Sequence, residues 1–176
     1  MARQPLSHVV RARDLPPDGK QVHLEADGDE RAALAEALGI PAVERLEADL
    51  TVTPDGEDGL RVRGHVDGDV VQTCIVTLDP VRQSVRETVD VTFLPEEAKS
   101  GETGRTILLD AMYEEELDYY TGGRLDLGPL VREHLALGLD PYPRKPDSDF
   151  QPHIEDDTSD RVSPFEGLRK LKDGDD

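Results

Sequence analysis

Two neighbouring runs of alternating apolar and polar residues are the strongest constraint on how this chain can fold. In residues 43–53, apolar side chains occupy every second position from Leu46 to Val52. In residues 60–70, valine, leucine and glycine alternate with arginine, histidine and aspartate. A loop rich in Gly, Asp and Glu, residues 54–59, joins the two runs. Period-two alternation gives each strand one apolar face, so the pattern predicts a β-hairpin that is buried on one side.

Further strands are predicted on the C-terminal side of this hairpin. Residues 70–80 are the most β-prone run of the chain and hold its single cysteine, Cys74, so we predict a central strand that ends at an Asp-Pro turn. Residues 81–94 alternate again and predict the next strand. Short turns between successive strands favour a mainly antiparallel sheet. Glycines at the inward positions Gly64 and Gly68 indicate a bulge, strong bending or the close approach of another element.

Two helices are predicted, one on each side of these strands in the sequence. The first spans Gly28–Leu38, with a capping box formed by Asp27 and Glu30 and a glycine stop. The second spans residues 126–139 and has an apolar face that includes His134, which we interpret as a core histidine. We therefore predict an α+β fold, with two helices and either a mainly antiparallel bent sheet or a partly closed barrel.

The chain divides into an ordered part and an acidic remainder. Its 176 residues allow one domain plus tails, and a hydrophobic content of 36% is low for a chain that is globular throughout. We assign residues 5–145 to an α+β domain that contains a long acidic loop at 96–120. Residues 146–176 predict a disordered acidic tail, in which 163–172 form a short helix-forming peptide suited to folding on a partner.

The net charge limits the classes of partner. A formal charge of −19 weighs against broad electrostatic binding to nucleic acid, which needs a basic surface to displace counterions, and it suits a basic protein partner. A single cysteine cannot form an internal disulfide, which fits a reducing cytosol. The sequence has no signal-like apolar core and no apolar run of the roughly 20 residues that a spanning helix needs. We therefore expect a cytoplasmic protein without membrane contact.

No catalytic or metal-binding constellation stands out in the sequence. Cys74 lies among valines and an isoleucine and is interpreted as a buried strand residue that behaves as a small hydrophobe. The five histidines lack metal-motif spacing, and no Walker loop, dinucleotide fingerprint or nucleophile elbow is present. We therefore predict no enzyme activity, no cofactor and no metal. A metal-dependent nuclease is the weaker alternative, because it needs carboxylates clustered around a cation.

One local basic stripe interrupts the acidic composition. Arg61, Arg63 and His65 fall on the polar face of one predicted strand, and Arg86 falls on the next. These four residues are the candidate RNA contacts, because such a stripe can bind phosphates. Alternatively, they pair with Asp and Glu of an adjacent strand, as cross-strand charges commonly do, and we favour this second interpretation.

Residues 72–81, preceded by 66–71, resemble the central motif of the YceD family, the large ribosomal RNA subunit accumulation proteins, in its alphaproteobacterial form. Further resemblance lies, in chain order, in residues 30–35, 126–137 and 139–144, and in the tail residues Ser163, Pro164, Phe165, Leu168, Leu171 and Lys172. Many members of the family have a Cys-x-x-Cys pattern at the central motif. Here Thr77 replaces the second cysteine, so a metal or redox role suggested by those relatives is not carried over.

The resemblance implies a role in producing or accumulating large-subunit ribosomal RNA and offers no catalytic residues. We expect a non-enzymatic ribosome-biogenesis factor that acts through a basic ribosomal or ribosome-assembly protein, with direct RNA binding as the alternative. The candidate partner contacts are acidic residues of the loop and apolar residues of the tail, namely Glu114, Glu115, Glu116, Asp118, Phe165, Leu168 and Leu171.

Overall fold

The computed structural model describes residues 6–56, 58–96 and 116–146. Within these ranges the strands are β1 (Val9–Arg11), β2 (Lys20–Glu25), β3 (Ala42–Asp55), β4 (Gly59–Thr73), β5 (Pro80–Pro95), β6 (Glu116–Tyr120) and β7 (Arg124–Asp126). The helices are α1 (Gly28–Leu38) and α2 (Leu127–Leu137), and a 3-10 turn spans Ala12–Asp14. Most of the predicted acidic loop, residues 97–115, and the predicted tail from residue 147 onward, including 163–172, lie outside the described residues.

The main sheet has five strands in the order β2-β3-β4-β5-β6. Successive strands from β2 to β5 pair antiparallel, whereas β6 pairs parallel to the end of β5. A separate antiparallel pair joins β1 to β7. Among the described residues, β2 and β6 form the two edges of the main sheet, so the sheet is open. The α+β class is confirmed, and the open sheet is found rather than the partly closed barrel.

Alternation along the long central strands produces one buried face and one polar face. The inward side chains of β3, β4 and β5 are almost fully shielded from solvent and include Leu46, Ala48, Leu50, Val52, Val62, Val66, Val70, Val89 and Val91. Both helices lie against this sheet, α1 next to β3 and α2 next to β4 and β5. Burial of branched aliphatic side chains, at roughly 25 cal/mol per Å² of apolar surface, is the main stabilising contribution to this layered arrangement.

Helix α1 begins and ends where its capping residues predict. The Asp27 carboxylate accepts a hydrogen bond from the Glu30 backbone N–H, and the Glu30 carboxylate accepts one from the Asp27 N–H. At the other end, Gly39 has a φ of 66°, the left-handed conformation that closes a helix and favours glycine. Leu34 is buried in the core and Leu38 is half-buried against it. The capping box thus sets where the helix begins, and the leucines hold it against the core.

Helix α2 approaches the sheet closely at a glycine. A Cβ atom placed on Gly68 of β4 would lie 2.8 Å from Cδ1 of Leu135, so a larger residue would require the Leu135 side chain to shift. The predicted close approach of another element is therefore found at this position. His134 is buried beside Leu135, and its Nδ1 lies 3.0 Å from the Leu130 carbonyl oxygen. The interpretation of His134 as a core histidine is confirmed.

The N-terminal segment joins the start of α2. The Asp126 carboxylate accepts hydrogen bonds from the backbone N–H groups of His8 and Gly128, at 2.8 and 3.0 Å. The backbone N–H of Leu127 donates to the His8 carbonyl oxygen. Gly128 packs so closely under Leu6 that a Cβ atom there would overlap the Leu6 carbonyl. One aspartate therefore caps the helix and also anchors the β1–β7 pair.

The predicted central strand at residues 70–80 is wrong beyond Thr73. Residues 74–79 form the turn of the β4–β5 hairpin, in which the Cys74 N–H donates to the Asp79 carbonyl and the Leu78 N–H donates to the Cys74 carbonyl. Leu78 closes the turn with a φ of 62°. The β-branched residues of the turn predict extended backbone, but the Asp-Pro step and these hydrogen bonds reverse the chain. The first residues of the run do belong to β4, the middle strand of the sheet.

Two further elements differ from the prediction. The end of the predicted acidic loop forms β6, which pairs with residues 91–95 of β5. Its alternation of Leu117 and Tyr119 with acidic residues is short, and the acidic composition around it conceals the pattern. Helix α2 ends at Leu137, two residues before the predicted end. In the described parts of the chain, no helix has the length and apolar character needed to cross a bilayer.

Candidate interaction surfaces

The polar face of the sheet carries the predicted basic stripe, and its arginines contact carboxylates. On β4, Arg61 donates two hydrogen bonds to Asp90 of β5, at 2.7 and 3.0 Å. Arg63 donates to the same carboxylate at 3.2 Å. Hydrogen bonds from Arg61 hold the pKa of Asp90 below its ordinary value, and those from Arg63 add a smaller effect in the same direction. The two arginines are thus engaged by one aspartate on the neighbouring strand.

The other two residues of the stripe also face acidic side chains. His65 Nε2 lies 3.3 Å from an Asp67 oxygen and 3.7 Å from an Asp49 oxygen. The Arg86 Nε lies 3.7 Å from the second Asp67 oxygen. The fold therefore brings all four candidate RNA contacts onto one face of β4 and β5, and it places a carboxylate beside each of them. This arrangement is the cross-strand pairing that the second interpretation of the stripe expects.

The same row of side chains continues to the edge strand β2. His23 Nδ1 lies 2.8 Å from Asp49 Oδ1, and this hydrogen bond raises the pKa of His23 above its ordinary value of 6.5. Further negative charge from Asp49, Glu47 and Glu25 acts in the same direction. The protonated form of His23 is therefore favoured in the folded chain.

This geometry predicts a measurable titration. Because the folded pKa of His23 lies above the unfolded value, its contribution to stability is fully present below about pH 6.5. That contribution is lost as the pH rises through the folded pKa. In the Asp49→Asn variant, the His23 pKa is expected to fall toward 6.5, as measured by NMR of the imidazole protons. An unchanged His23 titration in this variant would contradict the assignment of Asp49 as its partner.

The predicted acidic contacts are only partly within the described residues. Glu116 begins β6, and Asp118 lies exposed on the same strand, where its carboxylate accepts the Tyr119 N–H at 2.7 Å. Asp118 borders a cleft of about 240 Å³ together with Asp126 and Glu133. Three carboxylates and a single arginine, Arg124, are the charged groups that line this cleft. The remaining candidates, Glu114, Glu115, Phe165, Leu168 and Leu171, lie outside the described residues.

Cys74 lies in the β4–β5 turn, where its sulfur accepts hydrogen bonds. The side chain is buried, yet Sγ lies 3.4 Å from the backbone nitrogens of Thr77 and Lys145, which donate to it. The Thr77 hydroxyl and these N–H groups lower the pKa of the Cys74 thiol to about 6, whereas burial acts in the opposite direction. The interpretation of Cys74 as buried is confirmed, but its place in a strand and its purely hydrophobic character are wrong.

The Cys74 turn also anchors the end of the described chain. The Ile75 N–H donates to the Pro143 carbonyl at 2.9 Å, and Lys145 Nζ lies 3.2 Å from the Asp79 carboxylate. The segment after α2 is therefore held beside the hairpin tip by backbone and side-chain contacts. Ile75, Leu78 and Tyr142 remain 47%, 76% and 70% exposed there. The sequence does not indicate this apolar tip, because its β-branched residues predict a buried strand over residues 75–78.

Thr77 is expected to control the ionisation of Cys74. In the Thr77→Val variant the hydroxyl is lost while the side-chain shape and the backbone donors are kept, so the pKa of the Cys74 thiol is expected to rise from about 6 toward its ordinary value. Thiolate absorbance in the ultraviolet, followed against pH, measures this change. The Thr73→Val variant, just outside the turn, serves as the control and should titrate as the wild type does.

A metal site has no support in the described residues. No group of three or more His, Cys, Asp or Glu side chains in residues 6–56, 58–96 and 116–146 has an arrangement suited to a metal ion. The sulfur of Cys74 faces Thr77 and backbone donors, and the His–Asp row across β2, β3 and β4 is a chain of pairwise contacts.

Comparison with known proteins identifies the family. A family model described as large ribosomal RNA subunit accumulation protein YceD matches residues 62–172. No curated protein and no solved structure matches the chain significantly. The match begins in β4 and includes the Cys74 turn, β5, α2 and the tail residues up to Lys172. Because it covers more than half of the 176 residues, the chain belongs to the YceD family of large ribosomal RNA subunit accumulation proteins.

Proposed function

We propose that this chain is a non-enzymatic ribosome-biogenesis factor that supports the accumulation or processing of large-subunit ribosomal RNA by binding proteins. The observation that carries the proposal is the family match over residues 62–172, whose description names large ribosomal RNA subunit accumulation. The match spans both sets of candidate partner contacts, the acidic residues near β6 and the apolar residues of the tail. Both sets therefore lie in the part of the chain by which the family is recognised.

The electrostatics of the sheet support a protein partner over direct RNA contact. Binding to phosphates releases counterions only where cationic side chains are available to replace them. Here Arg61 and Arg63 contact Asp90, and Arg86 lies near Asp67. RNA would have to compete with carboxylates that are already in place, in a chain with a formal charge of −19. A basic ribosomal or ribosome-assembly protein is attracted by the same charge.

The environments of Cys74 and His134 support a non-enzymatic role. The Cys74 sulfur is buried and receives backbone hydrogen bonds, so substrates have no access to it. The His134 ring is buried beside the Leu130 carbonyl. Cys74 and His134 thus lie in the interior and make contacts within the fold.

Affinity purification from cells tests the proposal. The wild type is expected to retain large-subunit ribosomal proteins or precursor particles after nuclease treatment. A variant with Glu114, Glu115 and Glu116 changed to Gln, or one with Phe165, Leu168 and Leu171 changed to Ser, should lose most of this material. A control with exposed acids neutralised elsewhere, at Asp18, Glu25 and Asp58, should retain it. Recovery of neither proteins nor precursors by the wild type at low salt would exclude the proposal.

The nuclease step separates the two modes of action. If RNA bridges the interaction, nuclease removes the ribosomal proteins, and the Arg61→Glu/Arg63→Glu variant should lose RNA and flatten the dependence of binding on salt. If proteins are contacted directly, nuclease leaves them bound, and the arginine variant, once circular dichroism shows that it keeps the wild-type fold, behaves as the wild type does. We expect the second result.

A further inference from the structure

A shallow apolar groove lies between α1 and the start of β3. It has a volume of about 760 Å³ and is lined by small or branched apolar side chains, including Ala32, Ala35, Ile40, Ala42 and Val43. Ala35 and Val43 are buried at its base, whereas Ala32 is exposed. Small side chains leave the helix backbone accessible, so an apolar segment can pack closely against it.

The rim of this groove carries two glutamates and one arginine. Glu36 of α1 and Glu44 of β3 line it and are both exposed. Arg31 also lines it, but the Arg31 guanidinium donates to the Ala26 carbonyl oxygen at 2.7 Å. Glu44 contacts Arg82 of β5 at 3.0 Å. Glu36 has no ion pair among the described residues, so an occupant with an apolar side and basic residues near Glu36 is complementary to these surroundings.

The chain leaves the described domain at the same end of the sheet. Lys145 contacts Asp79 at 3.2 Å, and Arg82, which contacts Glu44, follows three residues later in β5. Three residues of a strand span about 10 Å. Sixteen residues, 147–162, separate this point from residue 163, and random-coil statistics give about 20–25 Å for a segment of this length. The groove is therefore within reach of residues 163–172.

The sequence of residues 163–172 has the complementary character. Phe165, Leu168 and Leu171 are spaced three apart, as on one side of a helix, and Ser163 with Glu166 forms a capping-box pattern. Arg169, Lys170 and Lys172 against Glu166 give the segment a net charge of +2 in an otherwise acidic tail. Tethering a weak ligand at this distance raises its effective concentration to the millimolar range, so modest affinity is sufficient for binding.

We propose that residues 163–172 bind the α1–β3 groove of their own chain, with Phe165, Leu168 and Leu171 against the alanines and the basic side chains near Glu36. A partner that recognises the same three apolar residues must then displace the segment from the groove. The groove lies before residue 62 and thus outside the family match, whereas the segment lies inside it. The segment therefore lies in the part of the chain that the family model matches, whereas its binding site in the groove does not.

NMR of the full-length, isotope-labelled protein tests this proposal without any partner. Between the wild type and a variant with Phe165, Leu168 and Leu171 changed to Ser, backbone amide shifts should differ mainly around the groove, at Ala32, Ala35, Ile40 and Val43. An Ala32→Arg variant, which places bulk and positive charge in the groove, should shift the amides of residues 165–171. The matched Ala37→Arg variant changes an exposed alanine of the same helix outside the groove and should leave those amides unchanged.

Three results would overturn the proposal. The first is an absence of shift differences at the groove in the serine variant. The second is a set of differences centred on another surface, such as the apolar tip formed by Ile75, Leu78 and Tyr142. The third is a dependence of the shifts on protein concentration, which would mean that a second copy supplies the segment. None of these results bears on ribosomal partners, so failure here is distinct from failure of the proposed function.

Discussion

Replacing Gly64 by alanine is expected to lower the free energy of unfolding by roughly 3 kcal/mol or more, because two costs add at this position. Gly64 has a φ of 154°, which side chains rarely adopt, and a Cβ atom there would overlap the backbone carbonyl of Asp49 on β3. Backbone of a paired central strand cannot move aside as the end of a flexible side chain can. The residue therefore sets how closely β3 and β4 approach.

Chemical denaturation measures the change in free energy, thermal unfolding measures the change in midpoint, and a substitution at Gly28 provides the control. No heavy atom lies within 4 Å of a Cβ atom built on Gly28 in the first turn of α1, and its φ is not positive. Gly28→Ala should therefore be neutral or slightly stabilising, whereas Gly64→Ala should lower the midpoint of thermal unfolding by roughly 10 °C for a domain of this size. Equal midpoints for the two variants would show that the backbone contact at Gly64 is incorrect.

Replacing Asp90 by alanine is expected to cost about 1–3 kcal/mol of stability, because hydrogen bonds to a charged group are lost and two guanidinium groups lose a shared partner. The Arg61 side chain is only 19% exposed, so solvent replaces only part of the hydrogen bonding that the Asp90 carboxylate supplies. Asp90 itself is 41% exposed, and solvent screening places the effect toward the lower part of this range. The loss should shrink as the salt concentration rises.

The Glu25→Ala variant is the matched control for Asp90→Ala. The Glu25 side chain lies exposed on edge strand β2 and makes no side-chain hydrogen bond or ion pair in the described ranges, and its charge contributes only the last of the effects that raise the pKa of His23. Its removal changes the net charge equally, so a difference between the two variants isolates the contacts of Asp90. Acid should act in the same direction: the pKa of Asp90 is lowered, so its contribution is present above about pH 4 and is lost as the pH falls through the folded value.

Local sequence patterns are sufficient for the elements that obey a single rule. The capping box of Asp27 and Glu30 defines the start of α1, and alternation defines the β3–β4 hairpin and its buried face. The role of Gly68 also follows, because a glycine at an inward strand position requires a reason, and Leu135 supplies it. In each case the signal is contained in residues close together in the sequence or in one strong periodicity.

Elements that depend on contacts between distant residues cannot be predicted from local patterns. Residues 74–79 form a turn because of the hydrogen bonds around Cys74 and the contact with the Pro143 carbonyl. Pro143 follows α2 and is distant from the turn in the sequence. Strand β6 pairs parallel to β5, and nothing in the sequence of its five residues indicates this pairing. For the candidate surfaces, the sequence identifies the arginines and histidine of the stripe but not the carboxylates that face them. Those partners come from register, which only the folded sheet defines.

The ratio of large-subunit to small-subunit ribosomal RNA in cells that lack this protein tests the central claim most directly. We expect the ratio to fall and the wild type to restore it. The serine variant of Phe165, Leu168 and Leu171 should not restore it, although it folds and is present at the wild-type level. The Arg61→Glu/Arg63→Glu variant should restore the ratio if its level matches that of the wild type. An unchanged ratio in the depleted cells would contradict the account.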